Sequence, residues 1–107
     1  NYKQAIVETD TAGTVVTRAH SGKPCRLIRN DFTDHWAARE DEIQPYPLQV
    51  MQVGNAASVL GRHQGEVANG VLPAGQSAGL IDGVKSAEEV VNDIIDEAGA
   101  VLARLGP

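Results

Sequence analysis

The most regular alternation of apolar and polar positions lies in the last quarter of the chain. Between positions 90 and 105 the apolar residues recur at spacings of three and four, which puts them on one face of an α-helix. They are Val90, Val91, Ile94, Ile95, Ala98, Val101, Leu102 and Leu105. Ser86 and Glu89 precede them with the spacing of a capping box, and Gly106 and Pro107 are residues that end helices. The pattern predicts an amphipathic helix from Ser86 to Leu105.

The first part of the chain predicts a short helix and a β-hairpin. Residues 1–8 are predicted to be helical. The segment 14–17 is β-branched throughout, and the segment 25–29 can pair with it across a turn at 21–24. We therefore expect a two-stranded antiparallel sheet.

A second helix is predicted to follow the hairpin. Asn30 or Asp31 can cap it, and the polar pattern carries it to about Glu42. Its apolar side consists of Phe32, Trp36 and Ile43. This side is expected to contribute to the core.

Residues 48–64 predict a third helix, which contains two glycines. Its apolar positions are Leu48, Met51, Ala56, Val59 and Leu60. Gly54 and Gly61 each weaken a helix by about 1 kcal/mol relative to alanine, so they mark either close packing or a break. A short extended piece at 71–73 then leads into a turn rich in small residues.

That turn, residues 74–81, is the strongest candidate for contact with a ligand. Small residues flank Gln76, whose head carries both a donor and an acceptor. The simpler alternative, which spacing alone favours, is a Gln76 side chain bonded to backbone across the turn. A phosphate cradle is the weaker interpretation, because the next predicted helix begins seven residues beyond Gly79.

Composition narrows the class of protein. A chain of 107 residues accommodates one domain, and its net charge of −5 argues against a nucleic-acid partner. No stretch approaches the roughly 18 apolar residues of a membrane span, and the single cysteine is typical of a cytoplasmic protein. The core is expected to be thin and aliphatic, since only four residues are aromatic. Together with a start at Asn1, this leads us to expect that upstream residues are missing.

No complete catalytic or metal-binding set stands out. His20, His35 and His63 have neither the i,i+4 spacing nor the Cys/His pattern of a zinc site, so we expect no metal. Cys25 and His20 could meet across the hairpin as nucleophile and base, but no acid is evident to orient the histidine. The residues alone therefore indicate an α+β chain without an identifiable reaction.

The ordered landmarks of the chain resemble the C-terminal third of the nitronate monooxygenase family, formerly called 2-nitropropane dioxygenases. The similarity spans nearly all 107 residues. It rests on Thr14-Val15-Val16-Thr17, on Ser21-Gly22-Lys23-Pro24-Cys25-Arg26-Leu27-Ile28-Arg29-Asn30, on Pro45-Tyr46-Pro47-Leu48, on Ala74-Gly75-Gln76-Ser77-Ala78-Gly79-Leu80-Ile81 and on the terminal amphipathic helix.

The resemblance implies an α+β fragment, mainly helical with one short hairpin, of an α/β parent. Members of the family are FMN-dependent TIM barrels with a helical second subdomain over the barrel mouth. By this resemblance residues 1–12 end the barrel region, residues 13–70 form the covering subdomain, and residues 71–107 return to the barrel. The missing N-terminal barrel would be the partner of this chain.

The resemblance also implies a function. Family members oxidise alkyl nitronates with O2 to a carbonyl compound and nitrite. Their catalytic histidine and phosphate-binding glycines precede this region, so no catalytic role passes to His20, His35 or His63. The cofactor residues implied here are those of the turn: Gly75, Gln76, Ser77 and Gly79.

Two other functions stay open at this point. FMN-dependent enoyl reductases share the barrel and a similar Gly-Gln turn, and the residues that separate the two chemistries lie upstream. A small helical module that binds a partner without catalysis is the third possibility, because 107 residues could fold as a unit. The substrate, a small molecule in either enzyme, and the oligomeric state are not encoded in these residues.

Overall fold

A computed structural model of the chain describes residues 1–106 and shows a mainly helical fold with one antiparallel hairpin. The regular elements are α1 (Tyr2–Glu8), β1 (Thr14–Thr17), β2 (Cys25–Ile28), α2 (Asp31–Ala37), α3 (Asn55–Arg62) and α4 (Ala87–Leu105). Short 3-10 turns lie at Glu40–Glu42 and Gln76–Leu80, and a π-helical turn, Val50–Gly54, leads into α3. The predicted fold class is confirmed.

The predicted hairpin forms, with strands that pair antiparallel. Thr14 faces Ile28 and Thr17 faces Cys25. The edge of β2 that β1 leaves free is taken up by the extended segment 72–74, in which Pro73 lies opposite Leu27 in an antiparallel bridge. The hairpin thus fixes the position at which the turn of residues 74–81 begins, which we call the Gly-Gln turn.

Helix α2 begins where the sequence predicts but ends early. Asn30 caps it, because the Asn30 side chain accepts from the Thr33 amide and the Thr33 hydroxyl accepts from the Asn30 amide. The helix ends at Ala37 instead of about Glu42, which corrects the prediction. Acidic residues at 40–42 would lie at the negative end of the helix dipole, and they form a separate 3-10 turn instead.

The core lies between the hairpin, α2 and α3. It consists of Ala19, Leu27, Phe32, Ile43, Ala57 and Val71, with Cys25, Trp36 and Val53 packed against it. Buried Gln49 ties it to the loop after β1, since its Nε2 donates to the Ala19 carbonyl over 2.8 Å. The predicted aliphatic character of the core is confirmed, since Phe32 is the one aromatic residue among these six buried residues.

Both glycines of the third predicted helix mark close packing. A Cβ on Gly54 would lie 1.9 Å from the His20 carbonyl oxygen, and a Cβ on Gly61 would lie 2.8 Å from the Leu72 side chain. The helix is not broken there. It widens into the π-helical turn Val50–Gly54 and continues as α3.

Helix α4 forms as predicted, but its apolar face is exposed. Ser86 caps it by accepting from the Glu89 amide, and the Glu89 carboxylate accepts from the Ser86 hydroxyl instead of the Ser86 amide. No residue of α4 is buried, and Ile94 and Ile95 are each 62% exposed. Gly106 ends the helix at a φ of +77°, whereas Pro107 lies outside the described residues.

Among the helices of residues 1–106, none combines the length and the apolarity needed to cross a membrane. The cytoplasmic location stays a prediction.

Candidate functional site

The Gly-Gln turn contains a short 3-10 helix, Gln76–Leu80, which packs against the protein on one side and is exposed on the other. Gly75 is extended, and its carbonyl accepts from the Ala78 amide over 3.0 Å. Ala78 points into the protein and is only 4% exposed. The amides of Gln76 and Ser77 stand at the first positions of the turn, where a helix has no internal acceptor for them. Two backbone donors therefore face outward.

The two glycines of the turn have different roles. A Cβ on Gly79 would lie 2.3 Å from the Thr11 amide nitrogen and 2.6 Å from the Asp10 carbonyl carbon. Gly79 is therefore required for packing against the loop after α1. A Cβ on Gly75 would meet only the Ser77 hydroxyl, at 3.8 Å, so the space beside Gly75 is open.

Gln76 projects from this open side. Gly75, Gln76 and Ser77 are all exposed. Within residues 1–106 no side-chain hydrogen bond involves a residue between Gly70 and Lys85 other than the one that Pro73 accepts from Tyr2. The structural alternative, a Gln76 side chain tied to backbone across the turn, is therefore not found. The amide head is available to a partner outside the described residues.

The extended segment 72–74 sets where the turn begins. The Ile28 amide donates to the Leu72 carbonyl over 2.9 Å, and the Ala74 amide donates to the Arg26 carbonyl over 3.3 Å. Pro73 lies between these two bonds, so its own carbonyl points away from β2. That carbonyl accepts from the hydroxyl of Tyr2 in α1.

Burial also affects Tyr2 itself. It raises the pKa of the Tyr2 hydroxyl above its ordinary value, against a smaller opposing effect of the Arg62 charge. The hydroxyl therefore keeps its proton at neutral pH and acts as a donor. Sequence reasoning assigned Tyr2 only to the predicted first helix, because a contact across 71 residues leaves no local pattern.

Asn30 joins the hairpin to the segment that precedes the turn. Its Nδ2 donates to the Val67 carbonyl over 2.9 Å and to the Gly70 carbonyl over 2.8 Å. The sequence predicted Asn30 only as a helix cap. These two bonds give Asn30 a second structural role.

The alternative in which Cys25 and His20 act as nucleophile and base has no hydrogen bond between the two residues to support it. The Cys25 thiol donates weakly to the Arg26 carbonyl, with sulfur and oxygen 3.8 Å apart. His20 Nδ1 is buried and has no hydrogen-bond partner among the described residues. Burial, and secondarily the charge of Arg62, lowers the pKa of His20. Residues 1–106 also contain no group of three or more His, Cys, Asp or Glu side chains placed to hold a metal ion.

Two concavities lie outside the turn. A cleft of about 600 Å³ opens between α1, the following loop and the start of α2. Its charged lining residues are Glu8, Asp10, Arg29, Asp31 and Asp34. A groove of about 300 Å³ runs between residues 80–85 and the first half of α4. Neither is lined by Gly75, Gln76, Ser77 or Gly79.

Known proteins similar to this chain agree with one another in family. The family model described as nitronate monooxygenase matches residues 1–97. A protein of Staphylococcus saprophyticus named "Probable nitronate monooxygenase" is 33% identical over 103 residues, which are 96% of this chain and 28% of that protein. A protein of Staphylococcus aureus with the same name is 30% identical and matches 94% of this chain and 28% of its own length.

Solved structures extend the similarity to the fold. FabK from Thermotoga maritima superposes with a TM-score of 0.77 at 32% identity, covering 97% of this chain and 32% of FabK. Its M276A mutant gives a TM-score of 0.69 at 30% identity and covers 30% of that chain. The chain thus spans between a quarter and a third of the length of these relatives. Because the family model covers most of the chain and the relatives agree with it, this chain belongs to the nitronate monooxygenase family.

Proposed function

We propose that this chain is the C-terminal part of an FMN-dependent oxidoreductase that oxidises alkyl nitronates with O2 to a carbonyl compound and nitrite. The observation that carries the proposal is the family match over residues 1–97. In this proposal residues 1–12 end the barrel region, residues 13–70 form the covering subdomain and residues 71–107 return to the barrel. This chain alone is inactive, because the catalytic residues lie in the missing N-terminal barrel.

The exposed face of α4 supports this division. Val91, Ile94 and Leu102 are 54 to 68% exposed, and an apolar face of this length is normally covered. In the proposed enzyme the barrel covers it. The helix then holds the preceding Gly-Gln turn against the barrel, where the catalytic face of the fold lies.

The turn fits the polar edge of a flavin better than its phosphate. Gly75 leaves room for close approach, and the Gln76 head and the Gln76 and Ser77 amides offer donors and an acceptor. No lysine or arginine occurs in residues 74–81 to neutralise a phosphate. We therefore assign Gly75, Gln76 and Ser77 to the cofactor wall, and Gly79 to the packing that supports it.

When bound, FMN would supply the transfer of electrons from substrate to O2. The residues of this chain bind and orient it. In this proposal Gln76 accepts from or donates to the flavin edge. Ala78, which is buried, and Gly79, which packs against Thr11, keep the turn in position. This chain donates no proton to the reaction in this proposal, and its histidines have no catalytic role.

A second candidate is an FMN-dependent enoyl reductase of the same barrel family. The FabK structures favour it, since they match 97% of this chain in fold at about the identity of the relatives named nitronate monooxygenase. This segment therefore supports either chemistry. The small interaction module without catalysis is the third candidate.

One experiment separates the three. The complete protein is purified, its flavin is identified, and it is given propionate 3-nitronate with O2 or an enoyl thioester with NAD(P)H. Nitrite release supports the proposal. Reduction of the thioester without nitrite supports the reductase, and a protein that neither binds FMN nor turns over either substrate supports the interaction module.

The assignment of the turn has its own test. In the complete protein, Gln76→Ala removes the amide head and is expected to raise the Kd for FMN about threefold to tenfold, the effect of one lost hydrogen bond. Gln64→Ala is the matched control, because Gln64 is an exposed glutamine in a different loop. Equal FMN affinity in the two variants would overturn the assignment.

A further inference from the structure

We infer that Tyr2 is a positioning residue for the flavin, acting through the Pro73 carbonyl on the Gly-Gln turn. This inference rests on the proposed function, since it assumes that the turn forms the cofactor wall. The structural basis is a single long-range contact. The hydroxyl of Tyr2, at the start of α1, donates to the carbonyl of Pro73, two residues before Gly75.

The carbonyl of Pro73 has this partner because of the local strand pattern. The bonds that join segment 72–74 to β2 come from the residues on either side, Leu72 and Ala74. A residue between two such bonds directs its N–H and C=O to the outer edge of the sheet. Proline has no N–H to leave unpaired there, so its carbonyl alone needs a donor. Tyr2 supplies that donor from the neighbouring helix.

The position of α1 is itself fixed at both ends. The Asn1 side chain donates to the Gly65 carbonyl over 2.9 Å. At the other end the loop after α1 contacts the turn directly, since Gly79 packs against Thr11. The Tyr2 hydroxyl therefore belongs to a helix with contacts at both ends, and its bond links the position of that helix to Pro73.

The turn then has three points of attachment. Segment 72–74 is paired with β2, Gly79 rests on Thr11, and Tyr2 holds Pro73 from the side. Gly75 lies between the second and third of these and has open space around it. The Pro73 carbonyl and the Ala74 N–H belong to one peptide group, which is bonded to Tyr2 on one side and to Arg26 on the other. Loss of the Tyr2 hydroxyl leaves only the bond to Arg26, so this peptide group is held less firmly and Gln76 is expected to move relative to the flavin.

Tyr2→Phe is the sharpest test, because it keeps the ring and removes only the hydroxyl. In the complete protein we expect the Kd for FMN to rise by up to about threefold to tenfold, the full effect of the one hydrogen bond assigned to Gln76, through which Tyr2 acts. We also expect a shift in the visible absorption of the bound flavin, which reports its polar contacts. A Tyr2→Phe protein with a lower Tm but an unchanged flavin Kd and spectrum would show a purely structural role and overturn the inference.

A double-mutant cycle connects the effect to the turn. If Tyr2 acts through the turn, Tyr2→Phe adds less than its full effect on FMN affinity once Gln76 is alanine. Additive effects of the two substitutions would overturn the inference, because Tyr2 would then act by another route.

The cycle also separates this inference from the proposed function. If Gln76→Ala leaves FMN affinity unchanged, the cofactor wall is wrongly assigned and both fail. If Gln76→Ala weakens FMN and Tyr2→Phe does not, the wall stands and only the role of Tyr2 is overturned. Tyr46→Phe is the matched control, because it also removes one tyrosine hydroxyl. The Tyr46 ring is half exposed, lies under the Lys23 ammonium and is outside the turn.

Discussion

Residues 14–72 and helix α4 pack in opposite ways. In the first region Leu27 and Val71 are fully buried, and the glycines at 54 and 61 admit backbone to within van der Waals contact. In α4 no residue is buried, although its apolar face is the most regular in the chain. The difference shows that the regularity of an amphipathic pattern measures how much surface must be covered. It does not identify what covers that surface.

The first region is also tied together by polar side chains that reach far along the chain. Gln49 and Asn30 bond to carbonyls 30 to 40 residues away. The polar contacts of α4 are local: Ser86 bonds to Glu89, and Lys85 pairs with Asp93 at the surface over 2.6 Å. Long-range polar contacts specify one arrangement of elements, whereas local contacts stabilise one helix in any arrangement.

Ile94→Asp is expected to have the largest effect, and it tests the comparison directly. In the 107-residue chain Ile94 is 62% exposed, so the free energy of unfolding should change by no more than about 0.5 kcal/mol. In the complete protein the same change would bury an unpaired carboxylate against the barrel. We expect a loss of about 4 kcal/mol or more, which abolishes folding.

Asn92→Asp on the polar face of α4 is the matched control and should change little in either protein. Thermal unfolding of the four variants measures the difference. An unchanged Tm for Ile94→Asp in the complete protein would show that the apolar face is not covered.

Gly54→Ala is expected to have the next largest effect. The added methyl would lie 1.9 Å from the His20 carbonyl oxygen, and neither backbone can yield without moving the loop or the helix. We expect a loss of about 3 kcal/mol in urea unfolding of the complete protein. Gly99→Ala is the control from the other region. Nothing lies within 4 Å of its added methyl, so it should stabilise by about 0.5–1 kcal/mol. Similar values for the two would contradict the contrast in packing.

Two helix caps give a third, smaller contrast. Asn30→Ala removes the cap of α2 and both donors to residues 67 and 70, so we expect a loss of about 2–4 kcal/mol. Ser86→Ala removes only the local cap of α4 and should cost about 1 kcal/mol. Asn30→Asp keeps the acceptor for the Thr33 amide and loses the donors, so its unfolding free energy should fall between those of Asn30→Ala and wild type. If Asn30→Asp and wild type had the same free energy of unfolding, the bonds to residues 67 and 70 would not contribute to stability.

The smallest expected effect is a dependence of stability on pH in the first region. Burial, and then Arg62, lowers the pKa of His20 in the folded protein from its ordinary value of 6.5. The folded state therefore binds fewer protons than the unfolded state just below that pH. The free energy of unfolding is therefore highest above pH 6.5, and it decreases as the pH falls toward the pKa of His20 in the folded protein.

His20→Asn should flatten this pH dependence in urea titrations between pH 5 and about 8, while His63→Asn at an exposed position should not. A slope that persists in His20→Asn would assign the dependence to other groups.

Local patterns predicted several elements well. The β-branched run located β1, Ser86 was placed correctly as a cap, and the spacing of apolar residues located α4. Of the two cap candidates for α2, Asn30 and Asp31, Asn30 is the cap. The prediction was wrong at the end of α2, where three acidic residues favoured a separate turn. The π-helical turn Val50–Gly54 was also not predicted, because the apolar spacing of residues 48–64 matches an uninterrupted α-helix.

The candidate site also has features that a local pattern predicts and features that depend on long-range contacts. The sequence by itself determined that a turn of small residues surrounds Gln76 and that an amphipathic helix follows. Through the order of its landmarks it also determined the family. Only the tertiary structure decided that Gly79 packs while Gly75 is open and that Tyr2 reaches Pro73. It also showed that the Gln76 side chain bonds to no backbone group of residues 1–106. The physical reason is that turn propensity and apolar spacing act over a few residues. A hydroxyl that meets a carbonyl 71 positions away depends on how whole elements pack, and no local pattern records that.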